Sequence, residues 1–563
     1  MHLYNRYAKI PHFWLCLMWL IIGLGLRLAN LTGKPPWTDE FSTLVFSLGN
    51  SFLQVPLDQA IAPDILLQPL QPQAGATFQD VWAHLSQETN HPPLYFVLAH
   101  WWMHLFPTNG GLVSLWGARS LAAIFGAASI PAIYGLSWLS FRSHKASHLA
   151  AAMMAVSPYG IFLAQEARHY TLAILWVIAS LACLVITTNH IQNRTQLPVW
   201  TALTWVGINA LGIATHYFVT LTLCSEALVL LVLAWQHRPP LSPPWRRIYA
   251  VAVGTCVAGM VWVPIFLQNS YGSKLTEWIQ QPRAGWAWLS PIFQAIAAWI
   301  TMLYLLPVEA PQLAIMIASG LVMLIFMIWA APILVRGLKI QLQQPETRFM
   351  TQVFIGVVVG AIALFFIFTY FLGIDLTRGA RYNFVYFPAV IVLLGATLAV
   401  CWHPPQGIIG RWGVHRHKAV ILIWLMGFLS AVTVVCNLGY QKYYRPDLFV
   451  QLIQQTSQAP VLIATTHKTH VHIGEMMGVA REFKIQNPKF PFPLFLLAHQ
   501  DQDPNTSATT LENTLKALPQ PFDLWLVNFH APVAEAVKKC IADTQSLPPV
   551  NGYEYKIFHC GDS

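Results

Sequence analysis

Long apolar runs separated by short polar turns fill most of the chain. They stand at roughly 13–31, 116–140, 148–165, 170–188, 198–214, 217–235, 248–268, 312–335, 350–373, 384–402 and 419–437. Most approach the roughly 20 residues that a helix needs to cross a bilayer. Two other apolar stretches, 92–106 and 288–306, are shorter or less continuous. The pattern changes from about Gly439 onward. Short apolar segments at 461–465, 495–498, 524–529 and 553–558 read as strands, with helix-like stretches such as 509–517 and 532–543 between them. That alternation predicts a small α/β domain. Residues 53–75, with Pro56, Pro63, Pro69 and Pro72, read as an irregular loop. The expected fold is an α-helical polytopic membrane domain over 1–438, with a large outer loop at 32–115 and a C-terminal α/β domain over 439–563.

Composition strengthens this reading. The 563 residues are 55% hydrophobic and 10% charged, where a soluble domain carries about 25% charged residues. The net charge of +9 is spread over short loops, so it reports topology rather than nucleic-acid binding. Arg6 and Lys9 place the N-terminus in the cytoplasm by the positive-inside rule. The basic loops at 141–145, 235–247, 336–339 and 411–418 follow it there, provided that 92–106 and 288–306 lie on or re-enter the outer face. About eleven crossings result, or thirteen if both stretches cross, and with eleven the C-terminal domain is extracytoplasmic. Six of the eight cysteines fall in apolar runs. Cys540 and Cys560 either form a bridge, if their domain lies outside the cytoplasm, or remain two thiols.

The outer face then collects the polar segments with chemistry. Asp39 and Glu40 follow Pro35-Pro36-Trp37-Thr38 at the mouth of the first span. A carboxylate there suits a general base; the alternative is a helix N-cap with acid in the first turn. In Asn90-His91-Pro92-Pro93-Leu94-Tyr95, His91 stands before a helix start, where anions are favoured, unless it only caps the helix. The turn Gln165-Glu166-Ala167-Arg168-His169-Tyr170 puts Arg168 in reach of a phosphate, or pairs it with Glu166. Arg378, Arg381 and Tyr382 are cations and a phenol on the side that disfavours topogenic charge, with lipid head-group contact the plainer reading. Glu166 and His216 are the candidate ligands for a divalent cation. His467, His470 and His472 lack zinc-type spacing and flanking ligands.

The Asp-Glu pair after the first span, the Asn-His-Pro-Pro-Leu-Tyr segment, the Gln-Glu-Ala-Arg-x-Tyr turn and the late Arg-Tyr loop together resemble the GT-C membrane glycosyltransferases. The resemblance is to the glycosyltransferase family 39 branch, among relatives of protein O-mannosyltransferases and aminoarabinose transferases, and it covers most of 1–437. It implies a polyprenyl-phosphate sugar donor and inverting transfer to a hydroxyl or amine of a lipid, glycan or protein acceptor. It also implies a bacterial plasma membrane as the setting. Asp39 maps onto the family's base, with Glu40 in support. The phosphate contacts fall on His91, Arg168, Tyr170, Arg378, Arg381 and Tyr382. Some family members use a divalent cation. The rival expectation is a transporter or flippase of a lipid-linked sugar, which needs polar mid-membrane groups or repeated halves. The sequence names neither the sugar nor the acceptor.

Overall fold

The computed structural model describes residues 12–236, 243–268, 275, 277–280, 282–402, 416–486, 491–501, 503 and 505–561. Arg6, Lys9, His237, Arg238, parts of 269–281 and the basic segment 411–415 lie outside the described residues.

A helix stands at each of the eleven long apolar runs. They are His12–Leu28, Leu115–Phe141, His144–Val156 continued by Pro158–Ala164, Tyr170–Gln192, Val199–Thr215, Val219–Gln236, Pro243–Met260 with Val263–Gln268, Leu313–Gln343, Pro345–Phe371, Phe387–Trp402 and Arg416–Val435. Among the described residues, eight helices are long and apolar enough to cross a membrane, or nine with one bent pair. Seven of the eight fall on the eleven runs, and the other four runs fall short for two physical reasons. Ser157 and Pro158 break one run: the serine hydroxyl caps a new helix by accepting from the Gly160 amide, and the proline sits in its first turn. The two pieces meet at 55°. Three other helices are 17, 17 and 16 residues long, or roughly 24–26 Å, short of a hydrocarbon core of about 30 Å.

The eighth, 285–303, passes by length and apolarity, yet both of its flanks meet the same end of the bundle. The Trp288 carbonyl accepts from the Tyr370 hydroxyl at 3.0 Å, and past the helix Glu309 accepts from the Gln441 amide at 2.8 Å. Gln441 and Tyr370 both stand at the ends of helices that finish near the candidate site.

The C-terminal sheet has six strands in the order β1-β3-β2-β4-β6-β5. These are β1 (Ala60–Ile61), β2 (Val461–His467), β3 (Leu494–His499), β4 (Phe522–Val527), β5 (Cys540–Ala542) and β6 (Tyr555–Cys560). β3, β2 and β4 run parallel, while β6 is antiparallel to β4 and β1 to β3. The four expected strands are present. The expected helix at 532–543 is absent: turns lead into β5, whose Cys540 pairs with Cys560 of β6 and is bridged to it by a disulfide. Residues 53–75 are also more ordered than an irregular loop. They carry short helical turns and β1, which joins the far sheet through Ala60 opposite Leu496.

One face of the sheet packs with the 32–115 loop: Ile463, Phe495, Leu497 and Trp525 share a core with Phe41, Phe46, Phe52 and the helix His470–Gln486. That helix passes helix Thr38–Ser47 at ordinary contact distance: a Cβ at Gly474 would meet Thr38 at 3.5 Å, and one at Gly478 would meet Phe41 at 3.6 Å. The carboxylate segment is thereby held between the membrane bundle and the C-terminal sheet.

Candidate active site

Pro35, Pro36 and an extended Trp37 bring the chain to the first turn of helix Thr38–Ser47, where no side chain caps the start. Asp39 and Glu40 therefore sit inside the first turn, about 100° apart around the helix axis, and face different surroundings. The Asp39 side chain is 29% exposed, and the Glu40 side chain is fully buried. Glu40 accepts two 2.8 Å bonds from Arg119, one to each oxygen, and a third from the Ala167 amide. Arg119 also donates to the carbonyls of Leu31 and Lys34. Burial alone would raise the Glu40 pKa, but Arg119 outweighs it and holds the carboxyl low. Glu40 does not line the site cavity; it ties the start of helix Thr38–Ser47 to helix Leu115–Phe141 and to the 165–170 turn.

Asp39 lines a cavity of about 490 Å³ together with His91, Arg168, Tyr170, His216, Arg381 and Tyr382, a volume typical of ligand sites. Its Oδ2 lies 3.6 Å from Arg168 and 3.5 Å from Arg381. Arg168 is further fixed by donating to the Asp39 carbonyl at 2.8 Å and to the Thr43 hydroxyl at 2.9 Å. Arg381 lies 4.6 Å from the centre of the Trp37 ring, and its carbonyl accepts from Tyr159. Burial pushes the Asp39 carboxyl up, but Arg381 and Arg168 together outweigh it, so Asp39 titrates below its usual value and is ionised.

The histidines around it are neutral. His91 Nε2 faces Arg168 Nη2 at 3.3 Å. An arginine only donates, so Nε2 accepts and the ring proton is on Nδ1, 2.7 Å from the Thr89 hydroxyl. Burial, followed by Arg168, lowers the His91 pKa to about 3. His216 Nδ1 accepts from the Phe218 amide, which puts its proton on Nε2. Burial holds His169 and His216 well below their ordinary value. Among the described residues, Arg168 Nε and His169 Nδ1 are buried without a protein partner.

Two expected contacts fall elsewhere, and a third is already engaged. Arg378 is held by Asp375 at 3.3 Å and by the Trp278 carbonyl, and it does not line the cavity. Asp375 also takes Arg283, so this loop satisfies its own charges. Glu166 pairs with Lys442, not with Arg168, and is likewise outside the cavity. His216 lines the cavity, but its Nδ1 is already used. Among the described residues, no three His, Cys, Asp or Glu side chains gather to hold a metal, so the proposed Glu166–His216 cation site does not fit these residues.

Sequence reasoning missed other contributors. His169 lines the cavity, as do His470 and Val471 from the first turn of the C-terminal helix. The only sequence signal for His470 was a loose histidine cluster. Its place at the cavity comes from a long-range fold that puts its ring 5.0 Å from Phe52. Lys442, just beyond the last helix, lies 5.2 Å from the Trp37 ring, on which Arg381 also rests.

No protein-family model matches the sequence, and no curated protein does. Among solved structures, the chain is similar to ArnT from Cupriavidus metallidurans bound to undecaprenyl phosphate. The identity is 12%, 97% of this chain and 99% of that one are covered, and the TM-score is 0.49. It is also similar to the archaeal oligosaccharyltransferase AglB from Archaeoglobus fulgidus in complex with an inhibitory peptide and a dolichol-phosphate. That likeness has 11% identity, coverage of 98% and 74%, and a TM-score of 0.47.

Proposed function

We propose that the chain is an integral-membrane glycosyltransferase. It moves a sugar from a polyprenyl-phosphate donor to a hydroxyl or amine acceptor on the outer face of a bacterial plasma membrane, with inversion. The observation that carries this reading is Asp39, partly open to a cavity, with Arg168 and Arg381 both on one of its oxygens. Two arginines converging on one point suit a phosphate, and the unsatisfied Arg168 Nε and His169 Nδ1 add polar groups that a phosphate engages. The other wall carries Phe368, Ile374 and Leu376, apolar groups beside which an isoprenoid tail can lie.

In the reaction, the acceptor oxygen or nitrogen attacks the anomeric carbon from the side opposite the phosphate. The carbon–oxygen bond to phosphate breaks, and the leaving phosphate keeps the electron pair. Arg168 and Arg381 stabilise the charge that develops there. The acceptor proton passes to Asp39. A donor phosphate that draws the arginines from Asp39 also raises the basicity of that carboxylate, since their attraction is what depresses it. Binding the donor thus activates the base.

The test is purified protein in nanodiscs with polyprenyl-phosphate sugars, reading released polyprenyl phosphate by mass spectrometry. Asp39→Asn should keep donor binding and lower turnover by roughly 10²–10⁴, the usual contribution of general base catalysis. Near-normal turnover in a folded Asp39→Asn variant removes the base assignment. Translocation of intact donor without release by the wild type identifies a flippase instead.

A further inference from the structure

A second polar cluster lies on the same side of the C-terminal sheet as helix His470–Gln486, where the active-site reading has no use for it. The chain runs from β2 to β3 on one side of β2 and then returns to β4 on the other. The loops leaving β2 and β4 therefore part at the carboxyl edge between these two parallel strands, the position where open α/β sheets place ligands, and the histidines stand at the same edge on the β3 side of β2. The loops are linked there: the Thr466 hydroxyl donates to the Asn528 carbonyl at 3.2 Å. His467 ends β2, and His499 of β3 is directly opposite it in register, so their side chains share a face. The rings of His472 and His499 stand 6.4 and 6.3 Å from the His467 ring.

His467 is 9% exposed, and among the described residues neither of its ring nitrogens has a hydrogen-bond partner. One residue beyond His499, the Gln500 side-chain oxygen is also buried without a partner, while the Gln500 backbone N–H donates to the His467 carbonyl at 2.9 Å and its side-chain NH2 to the His530 carbonyl at 3.3 Å. Asp58, from the first outer loop, closes this edge by accepting from the His499 amide at 2.7 Å. A neutral imidazole needs one donor and one acceptor, and an amide oxygen needs a donor. Phosphate, which mainly accepts, leaves Gln500 unsatisfied and meets the Asp58 charge. An alcohol donates and accepts at each hydroxyl, and so answers all three groups.

We propose that this edge, built from His467, His472, His499, Gln500 and Asp58, binds the hydroxyls of a carbohydrate acceptor. Its role as an acceptor site rests on the transferase reading; its binding of sugar does not. His470, three residues after His467, lines the donor cavity. Three residues span at most about 11 Å, so an oligosaccharide held at His467 reaches toward Asp39.

Saturation-transfer NMR on the full chain in nanodiscs, with methyl hexopyranosides and linear trisaccharides as probes and no donor present, tests the binding. Wild type and Asp39→Asn should both transfer saturation to sugar protons, and His467→Phe and Gln500→Leu should each weaken the apparent affinity roughly tenfold. In a transfer assay, His467→Phe should raise the acceptor KM roughly tenfold, the cost of about one hydrogen bond, with a much smaller change in kcat. Saturation that depends on His467 in a protein that releases no polyprenyl phosphate supports the sugar site and overturns the transferase reading. Absence of saturation with every probe, or saturation equal in wild type, His467→Phe and Gln500→Leu, means that the edge holds water only and overturns the site.

Discussion

Asp39 and Glu40 are chemically near-identical neighbours, and the helix separates their roles. Adjacency and membrane position marked the pair in the sequence. Its division did not show there, because Arg119, which claims Glu40, is 79 residues away. A buried carboxylate with its partner removed is an uncompensated charge, costing roughly 3–5 kcal/mol. Arg119→Met should therefore lower thermal stability strongly in detergent, and Glu40→Gln less, because Arg119 keeps the Leu31 and Lys34 carbonyls and an amide oxygen as acceptors. A stable Arg119→Met protein that has lost only turnover contradicts the structural role of the pair. The histidines predict an acid effect with a definite sign. Their folded pKa values lie below the ordinary value of about 6.5, with His91 at about 3 and His470, lowered by burial, at about 4. As pH falls below about 6.5 the unfolded chain binds protons first, so stability is complete above that pH and is lost toward pH 3–4. Unfolding midpoints measured between pH 8 and pH 4 should fall across this window, and less steeply in His470→Phe. A flat profile from pH 7 to pH 5 removes the neutral-histidine assignment.

The elements were the most legible level. Each long apolar run became a helix, since a chain in lipid must satisfy its backbone internally. What the pattern hid was breaks and short helices, which depend on a single Ser-Pro step and on packing. The missing helix at 532–543 has the same origin: Cys540 pairs across to Cys560, and that long-range ladder overrides a local helical pattern. Packing also fixes which small residues matter. Gly395 of helix Phe387–Trp402 lies against helix His144–Val156, where an added Cβ would come within 2.6 Å of the Ala150 backbone nitrogen. Backbone cannot yield as a side-chain tip can, so Gly395→Val should cost at least the roughly 1–3 kcal/mol of ordinary overpacking. Gly135→Ala, where a Cβ meets nothing within 4 Å, serves as the control. A thermal-shift comparison in detergent reads both, and equal midpoints would mean that these two helices do not meet as closely as described.

At the scale of the whole molecule, the 32–115 loop, three inter-helix turns and the C-terminal domain meet at one end of the bundle. Leu115–Phe141 runs from Arg119, which bonds Glu40 at this end, to Phe141 at the other. At a rise of about 1.5 Å per residue, that stretch of the helix carries the 142–145 turn about 33 Å away. The far ends of the first helices meet there too, with His12 and His148 3.1 Å apart. Sidedness is therefore a property that one labelling experiment can read. Leu53→Cys and Lys516→Cys, both exposed, should react with a membrane-impermeant maleimide in intact cells, and Lys145→Cys should not. The disulfide gives an independent reading of the same side. A bridge closing a loop of 20 residues contributes roughly 3 kcal/mol by constraining the unfolded chain, and it persists only in an oxidising compartment. Replacing Cys540 and Cys560 with serine should lower the midpoint of the C-terminal domain, and the native pair should resist alkylation until reduced. β1 is fixed to β3, so the outer loop cannot lie on a different side from the sheet. Free thiols at 540 and 560 in cells, with Lys145→Cys the labelled site, would move Asp39 and its cavity together to the cytoplasmic face.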